Sequence, residues 1–349
     1  MTSGPVQIGV LDASVKGRGH AALIANEADG LTAMASTNAV LCGARNGCTI
    51  PPRPMGSSMN GRLKPVRLGL IGDNIARSRS PRLHELAGRV VGIPVHYDRL
   101  IPHDEGLRFE AVFERARGAG YRGLNVTYPY KERVVPMVRV PDPRVARLGA
   151  VNTVAFSADG PEGHNTDWSG FMVAYRRARG DAPAGAVCMI GAGGVGRAIA
   201  FALLELGLAE LRLVERDRSK AKALAAALRV VAPRLGVSVS ADAAEGSAGT
   251  DGLVNCTPVG MVGHDGTPLP RHLMAGASWA FDAVYTPVDT QFLHDAVAEG
   301  LQVISGEALF FYQGLHAFSI FHGCDVDEDR LRRALEEDAS ASASAGGCA

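Results

Sequence analysis

Val187-Cys188-Met189-Ile190-Gly191-Ala192-Gly193-Gly194-Val195-Gly196-Arg197 is an apolar run that passes into spaced glycines and then into a helical pattern. A strand, a G-x-G-x-x-G turn and a helix, in that order, form the phosphate-binding corner of a dinucleotide fold. Gly191 permits the tight turn, Gly193 lets backbone approach a pyrophosphate, and Gly196 lets the helix pack close on the strand. Ala192, Gly194 and Val195 complete the loop, whose free amides at the helix start face the anion. The next strand ends on Glu215, within Leu213-Val214-Glu215-Arg216-Asp217-Arg218. A carboxylate there accepts both ribose hydroxyls of NAD and repels a 2′-phosphate. Arg216 and Arg218 stand where a guanidinium clamps a 2′-phosphate, and they read equally well as solvated surface charge. NAD is therefore expected over NADP, with NADP left open.

Working outward, apolar runs alternate with helical stretches from Val66 to the C-terminal region, the pattern of an α/β fold whose sheets are covered on both faces. Strands are expected at 66–71, 95–100, 123–127 and 151–156, with helices at 82–91, 107–119 and 168–179. A second series follows: a strand from Ala186, a helix at 197–206, a strand at 211–215, a helix at 220–231, and strands near Val237, Leu253, Ala280 and Val303. Helices at 307–321 and 327–337 close it. The pattern divides the chain into an extension at 1–65, a first α/β series from Val66, a second series from Ala186 followed by the closing helices, and a tail at 339–349. The extension is rich in small residues and ends near Pro51-Pro52-Arg53-Pro54, and Met59 just before the first strong strand offers an alternative translation start.

At 349 residues two domains and a cleft between them are expected. Lys plus Arg and Asp plus Glu each number 36, so no net field recruits nucleic acid or an anionic membrane, and the expected partner is a small molecule. No apolar stretch reaches the about 18 to 20 residues that span a bilayer. The six cysteines are scattered, without zinc spacing or disulfide density, which fits reduced thiols in a cytoplasm. His84, His96, His103 and His164 show no metal spacing, and Cys256 reads as a small buried residue, not a nucleophile.

Polar strings that periodicity does not explain precede and follow the glycine loop. They are Ser78-Arg79-Ser80-Pro81-Arg82-Leu83-His84, Asn125-Val126-Thr127-Tyr128-Pro129-Tyr130-Lys131, Ala150-Val151-Asn152-Thr153, Gly163-His164-Asn165-Thr166-Asp167, Val284-Tyr285-Thr286-Pro287 and Tyr312-Gln313-Gly314. Each has a structural reading of its own: Ser-x-Ser-Pro starts a helix, Asn165-Thr166-Asp167 caps one, and a lone lysine is usually a surface residue. Jointly, from about Val66 to about Glu337, the strings resemble the shikimate dehydrogenase family, and most of all its quinate/shikimate subgroup.

The resemblance implies a discontinuous α/β substrate domain at 66–172, a Rossmann domain at 173–306, and C-terminal helices at 307–338 returning to the substrate domain, with the active site in the groove between. It implies that Ser78 and Ser80 hold a substrate carboxylate and that Asn125, Thr127, Asn152, Asp167, Tyr285 and Gln313 surround the ring hydroxyls. Lys131 matches the catalytic lysine and Asp167 its partner. The cofactor groove extends to Asp217, Thr257, Val284 and Gly306. The chemistry is coherent on physical grounds: reducing a ketone develops negative charge on oxygen, which an ammonium stabilises and protonates. The implied activity is reversible NAD(P)-linked interconversion of shikimate and 3-dehydroshikimate, or of quinate and 3-dehydroquinate, without a metal. Tyr128 departs from the aliphatic residue usual in its string. Another two-domain NAD(P) dehydrogenase and a non-catalytic sensor of the same fold are the competing readings, and a homodimer and a monomer are both compatible with the resemblance.

Overall fold

The computed structural model describes residues 64–346, so nearly all of the extension expected at 1–65, Met59 included, lies outside the described residues. The chain enters through β1 (Val66–Ile71), α1 (Ser80–Val91), β2 (Val95–Leu100), α2 (Phe109–Gly118) and β3 (Gly123–Val126), followed by α3 (Pro143–Leu148), β4 (Thr153–Ser157), β5 (Gly160–His164) and α4 (Thr166–Arg179). Its strands form one sheet in the order β2-β1-β3-β4-β5. β1 lies parallel to β2 and β3, while β4 runs antiparallel to its two neighbours, β3 and β5. Leu68, Ile71, Leu124 and Val126 are buried, as an apolar strand covered on both faces must be.

A second series contributes β6 (Gly185–Ile190), α5 (Gly194–Glu205), β7 (Leu208–Val214), α6 (Arg218–Val231), β8 (Gly236–Ser240), α7 (Ala243–Ser247), β9 (Gly252–Asn255), β10 (Trp279–Asp282), α8 (Gln291–Ala298) and β11 (Gln302–Ile304). These strands form an all-parallel sheet in the order β11-β10-β9-β6-β7-β8. The chain moves outward from β6 to β8 and then crosses back to β9. The crevice at the carboxyl ends of β6 and β9 is thus a topological switch point, where such sheets bind ligands.

α9 (Gly306–His322) and α10 (Glu328–Gly346) return the chain to the first sheet. α9 is apolar nearly all round, as a helix enclosed by protein should be: Phe310, Phe311, Tyr312, Phe318 and Phe321 are all buried. Two glycines set how closely it packs. A Cβ on Gly170 of α4 would lie 2.7 Å from the Gln313 nitrogen, and one on Gly314 of α9 would lie 2.8 Å from Leu83 of α1. α10 reaches α1 through the Arg82–Asp338 ion pair.

Most expected elements form within a few residues of their expected limits. Three differ. β5 has the sequence Gly-Pro-Glu-Gly-His, poor in strand formers, and it forms because it is an edge strand where Gly163 fits closely: a Cβ there would come within 2.6 Å of Val138 and 3.0 Å of Val151. α8 is announced only by its cap, Thr290 Oγ1 accepting the Leu293 N–H at 3.3 Å. Helix α10 continues through the stretch expected as a tail from residue 339, as far as Gly346, because its alanines are strong helix formers. No helix among the described residues is long and apolar enough to cross a membrane.

His84 stacks on Tyr97 with ring centroids 4.9 Å apart, His322 stacks on Phe318 at 4.1 Å, and His84 Nδ1 and His322 Nε2 are buried without a hydrogen-bond partner. Burial pushes His84 down to about 3 and His322 down to about 4. The fold therefore resists protonation where the unfolded chain accepts it, so stability is complete above the ordinary histidine value near 6.5 and is lost as pH falls toward these folded values. Urea midpoints should fall between pH 6.5 and 5 by the equivalent of about 2 kcal/mol for His84 alone. His84→Phe should flatten that slope, and an unchanged slope would show that His84 is not its source.

Candidate active site

The glycine loop leaves β6 through Gly191, whose φ of +100° is costly for any side-chain-bearing residue. Gly196 is required by contact: a Cβ there would lie 2.3 Å from the Gly191 carbonyl oxygen. At Gly193, the N-cap residue of α5, nothing lies within 4 Å of a Cβ position. That open side, with the first amides of α5 beside it, suits the close approach of a pyrophosphate. Val195 sits in the first turn of the same helix, half-buried.

Glu215, just past the end of β7, grips the loop. Its Oε2 accepts the Ala192 N–H at 2.9 Å, and its Oε1 accepts the Asp217 N–H, also at 2.9 Å. Each carboxylate oxygen keeps a further lone pair for a hydroxyl donor. Asp217 is occupied as the cap of α6, accepting the Ser219 N–H at 3.0 Å. Arg216 and Arg218 are exposed, with no hydrogen-bond or ion-pair partner among the described residues.

Across the groove, the segment after β3 delivers Lys131, and the first turn of α4 delivers Asp167. Lys131 Nζ lies 2.5 Å from Asp167 Oδ2, with the two side chains only 9% and 8% exposed. A buried pair this close keeps its charges only when its surroundings hold it in place. Two asparagines do so. Asn165 caps α4 by accepting the Trp168 N–H at 2.9 Å and anchors it by donating to the Ala150 carbonyl at 2.9 Å. Asn152 Oδ1 accepts the Thr166 N–H at 2.7 Å, while its Nδ2 donates to Thr166 Oγ1 at 3.0 Å. The stem of Lys131 meets the cofactor loop: a Cβ on Gly194 would lie 3.1 Å from Lys131 Cδ. The lysine therefore stands between the first sheet and the glycine loop.

The remaining expected residues fall into two groups. Asn125 joins the Asn152–Thr166 network, accepting from the Tyr97 hydroxyl at 2.8 Å and donating to Thr153 Oγ1 at 3.1 Å. Gln313 meets α4 at Gly170 and donates to the Phe310 carbonyl at 2.9 Å, and Thr127 lies half-buried above Gly72. Ser78 and Ser80 place their hydroxyl oxygens 3.1 Å apart, and Ser78 also interacts with the Tyr285 side chain. Ser78 Oγ accepts the Ser80 N–H at 3.2 Å, so the string starts α1 as well as presenting hydroxyls. On the nucleotide side, Thr257 donates to Asn255 Oδ1 at 2.7 Å beside Gly191, and Gly306 packs on the Val284 carbonyl, where a Cβ would be 2.2 Å away. Glu215, Arg216 and Asp217 make no contact with the Lys131–Asp167 network and mark the other end of the groove.

Asp282 is a member that sequence reasoning missed. Fully buried at the end of β10, it accepts from Asn255 Nδ2 at 2.9 Å, the Val284 N–H at 3.0 Å and Thr290 Oγ1 at 2.6 Å, while burial raises its carboxyl above the usual range. It fixes the two loops that carry Thr257 and Tyr285. A lone acidic residue ending an apolar strand was its only signal. Burial pushes the Cys256 thiol up, which keeps it protonated and agrees with an inert packing role. Among the described residues no cluster of three or more His, Cys, Asp or Glu side chains is placed to hold a metal ion.

Asn152→Ala should leave the buried Thr166 N–H unpaired and cost about 1 to 3 kcal/mol. Urea unfolding should show a lower midpoint at unchanged m-value. A midpoint equal to that of the parent protein would mean the α4 terminus is held by other contacts.

Residues 70–154 match the family model described as the shikimate dehydrogenase substrate binding domain. A quinate/shikimate dehydrogenase (NAD(+)) of Corynebacterium efficiens is 38% identical over 273 residues, covering 76% of this chain and 96% of that protein. A shikimate dehydrogenase (NADP(+)) of Arthrobacter sp. is also 38% identical, over 279 residues, with 78% and 95% covered. The quinate dehydrogenase from Corynebacterium glutamicum, solved in complex with NAD, superposes with a TM-score of 0.72 at 34% identity, covering 78% of this chain and 99% of that one.

Proposed function

Since the chain belongs to the shikimate dehydrogenase family, we propose that its groove oxidises shikimate and quinate reversibly at the ring 3-position, with Lys131 and Asp167 handling the proton and NAD as the preferred cofactor. The observation that carries this reading is the buried 2.5 Å contact of Lys131 Nζ with Asp167 Oδ2, on a lysine whose stem rests against Gly194 of the glycine loop.

The bound nicotinamide supplies hydride transfer. Everything else falls to the chain's own residues. Lys131 stabilises the developing negative charge on the substrate oxygen and delivers a proton to it; in the oxidising direction its neutral amine receives that proton. Asp167 orients Lys131 and accepts from a ring hydroxyl. Ser78 and Ser80, with Tyr285, receive the carboxylate, while Asn125, Thr127, Asn152 and Gln313 bind the ring hydroxyls. Asn152 does this with its second amide hydrogen, because the first is engaged by Thr166. Gly191 to Gly196 hold the pyrophosphate, and Thr257, Val284 and Gly306 line the nicotinamide side. Glu215 receives the adenosine ribose, with Arg216 and Asp217 at its rim.

NAD is favoured because Glu215 is fixed by two backbone amides at the ribose end, where its charge repels a 2′-phosphate. The exposed Arg216 keeps some use of NADP within reach. We assign residues 66–172 with helices 307–338 to substrate binding and 173–306 to the nucleotide. The balanced charge fits a small-molecule substrate and the scattered cysteines fit a cytoplasm, and the proposed reaction would serve aromatic amino-acid (chorismate) biosynthesis or quinate use.

Lys131→Ala should lower kcat by about 10²- to 10⁴-fold while substrate affinity, read by calorimetry, changes little. Normal turnover in that variant would remove the lysine from the mechanism. Steady-state oxidation of shikimate and of quinate should give a higher kcat/KM with NAD than with NADP, and Glu215→Ala should narrow the gap. A preference of the parent enzyme for NADP by about tenfold, equivalent to about 1.4 kcal/mol, would overturn the cofactor assignment.

A further inference from the structure

Arg79 lies between the two serines of the Ser78-Arg79-Ser80 string, yet its side chain reaches away from the segment that carries it. It ion-pairs with Glu307 in the first turn of α9, 228 positions along the chain, and donates to the Tyr285 carbonyl at 3.4 Å. Its guanidinium carbon lies 5.4 Å from the Tyr285 ring centroid and 5.0 Å from that of Phe310. Those two rings stack on each other at 4.8 Å with 16° between their planes. Tyr285 in turn interacts with the Ser78 side chain. One guanidinium therefore joins three segments: the β1–α1 connection, the β10–α8 connection and the start of α9.

An exposed ion pair alone would contribute little, and the Arg79 and Glu307 side chains are 43% and 39% exposed. The aromatic contacts set this pair apart. A planar cation over two stacked rings restricts their motion in a way a solvated charge does not. Tyr285 carries that restriction to the serine pair.

We propose that Arg79 is a positioning residue of the carboxylate subsite: held by Glu307, it pins the Tyr285–Phe310 stack so that the Tyr285 side chain stays beside Ser78 and Ser80. The Arg79–Glu307 pair is then the catch that keeps the carboxylate end of the groove closed. Glu307 also neutralises Arg79, which stops the guanidinium from drawing the substrate carboxylate away from the serines. The inference rests on the reading that Ser78 and Ser80 receive that carboxylate.

Steady-state kinetics with shikimate and NAD on R79M, R79K, E307Q, the R79M/E307Q double variant and S78A test it. R79M and E307Q should each raise KM for shikimate five- to tenfold, with kcat changed less than threefold and KM for NAD unchanged. The double variant should be no worse than R79M, because both changes open the same catch. R79K should recover part of the loss, since lysine keeps the charge but not the planar stack. A lower KM in E307Q would overturn the catch by showing that Arg79 binds the carboxylate itself, and additive effects in the double variant would show that the two residues act separately. A raised KM in S78A with unchanged KM in R79M and E307Q overturns the catch alone; unchanged KM in all three overturns the carboxylate reading with it.

Discussion

The contact of the Lys131 ammonium with the Asp167 carboxylate, 2.5 Å apart and almost sealed from water, is the constraint around which the rest of the groove is arranged. Removing one member of such a pair leaves a buried, uncompensated charge, which is far more damaging than losing a surface pair. Each element that carries a member is fastened in turn. α4 is capped by Asn165 and tied to the start of β4 through Asn152, and Lys131 accepts the Val151 N–H at 2.8 Å through its own carbonyl. Gly170 lets α9 press on the same helix, so the C-terminal return of the chain also bears on the pair.

The nucleotide half shows the same economy of fixed backbone. Its glycines are not interchangeable: Gly191 answers a backbone angle, Gly196 a contact with the strand below, Gly194 the stem of Lys131, and Gly193 an open approach. Glu215 links the glycine loop to the end of the neighbouring strand, so the residue proposed to select the cofactor also stiffens the glycine loop. Asp282 plays a similar part for the loops after β9 and β10, where three donors satisfy a carboxylate that burial alone would disfavour.

The main strands and helices were legible because covered parallel strands and amphipathic helices repeat apolar residues at their own periods. β1 and β6 follow that rule closely. β5 does not, because an edge strand with two glycines and a proline owes its place to packing against Val138 and Val151, not to its own propensities. α10 shows the reverse: a composition of alanine and serine that looked like a loose tail supplied enough helix propensity to continue the last helix.

The sequence by itself determined the two covered sheets and the glycine turn at Gly191 to Gly196, because these depend on local periodicity and on motifs within one segment, and its polar strings jointly marked the side chains proposed to handle the proton and bind hydroxyls. Tertiary structure alone decided which of those side chains meet. That Lys131 rests on Gly194, that Asn152 serves Thr166, that Asp282 gathers Asn255 and Thr290, and that Arg79 crosses to Tyr285 and Glu307 are contacts between distant segments. A buried polar group must find its partner wherever the packed chain brings one, and no spacing along the sequence records where that will be.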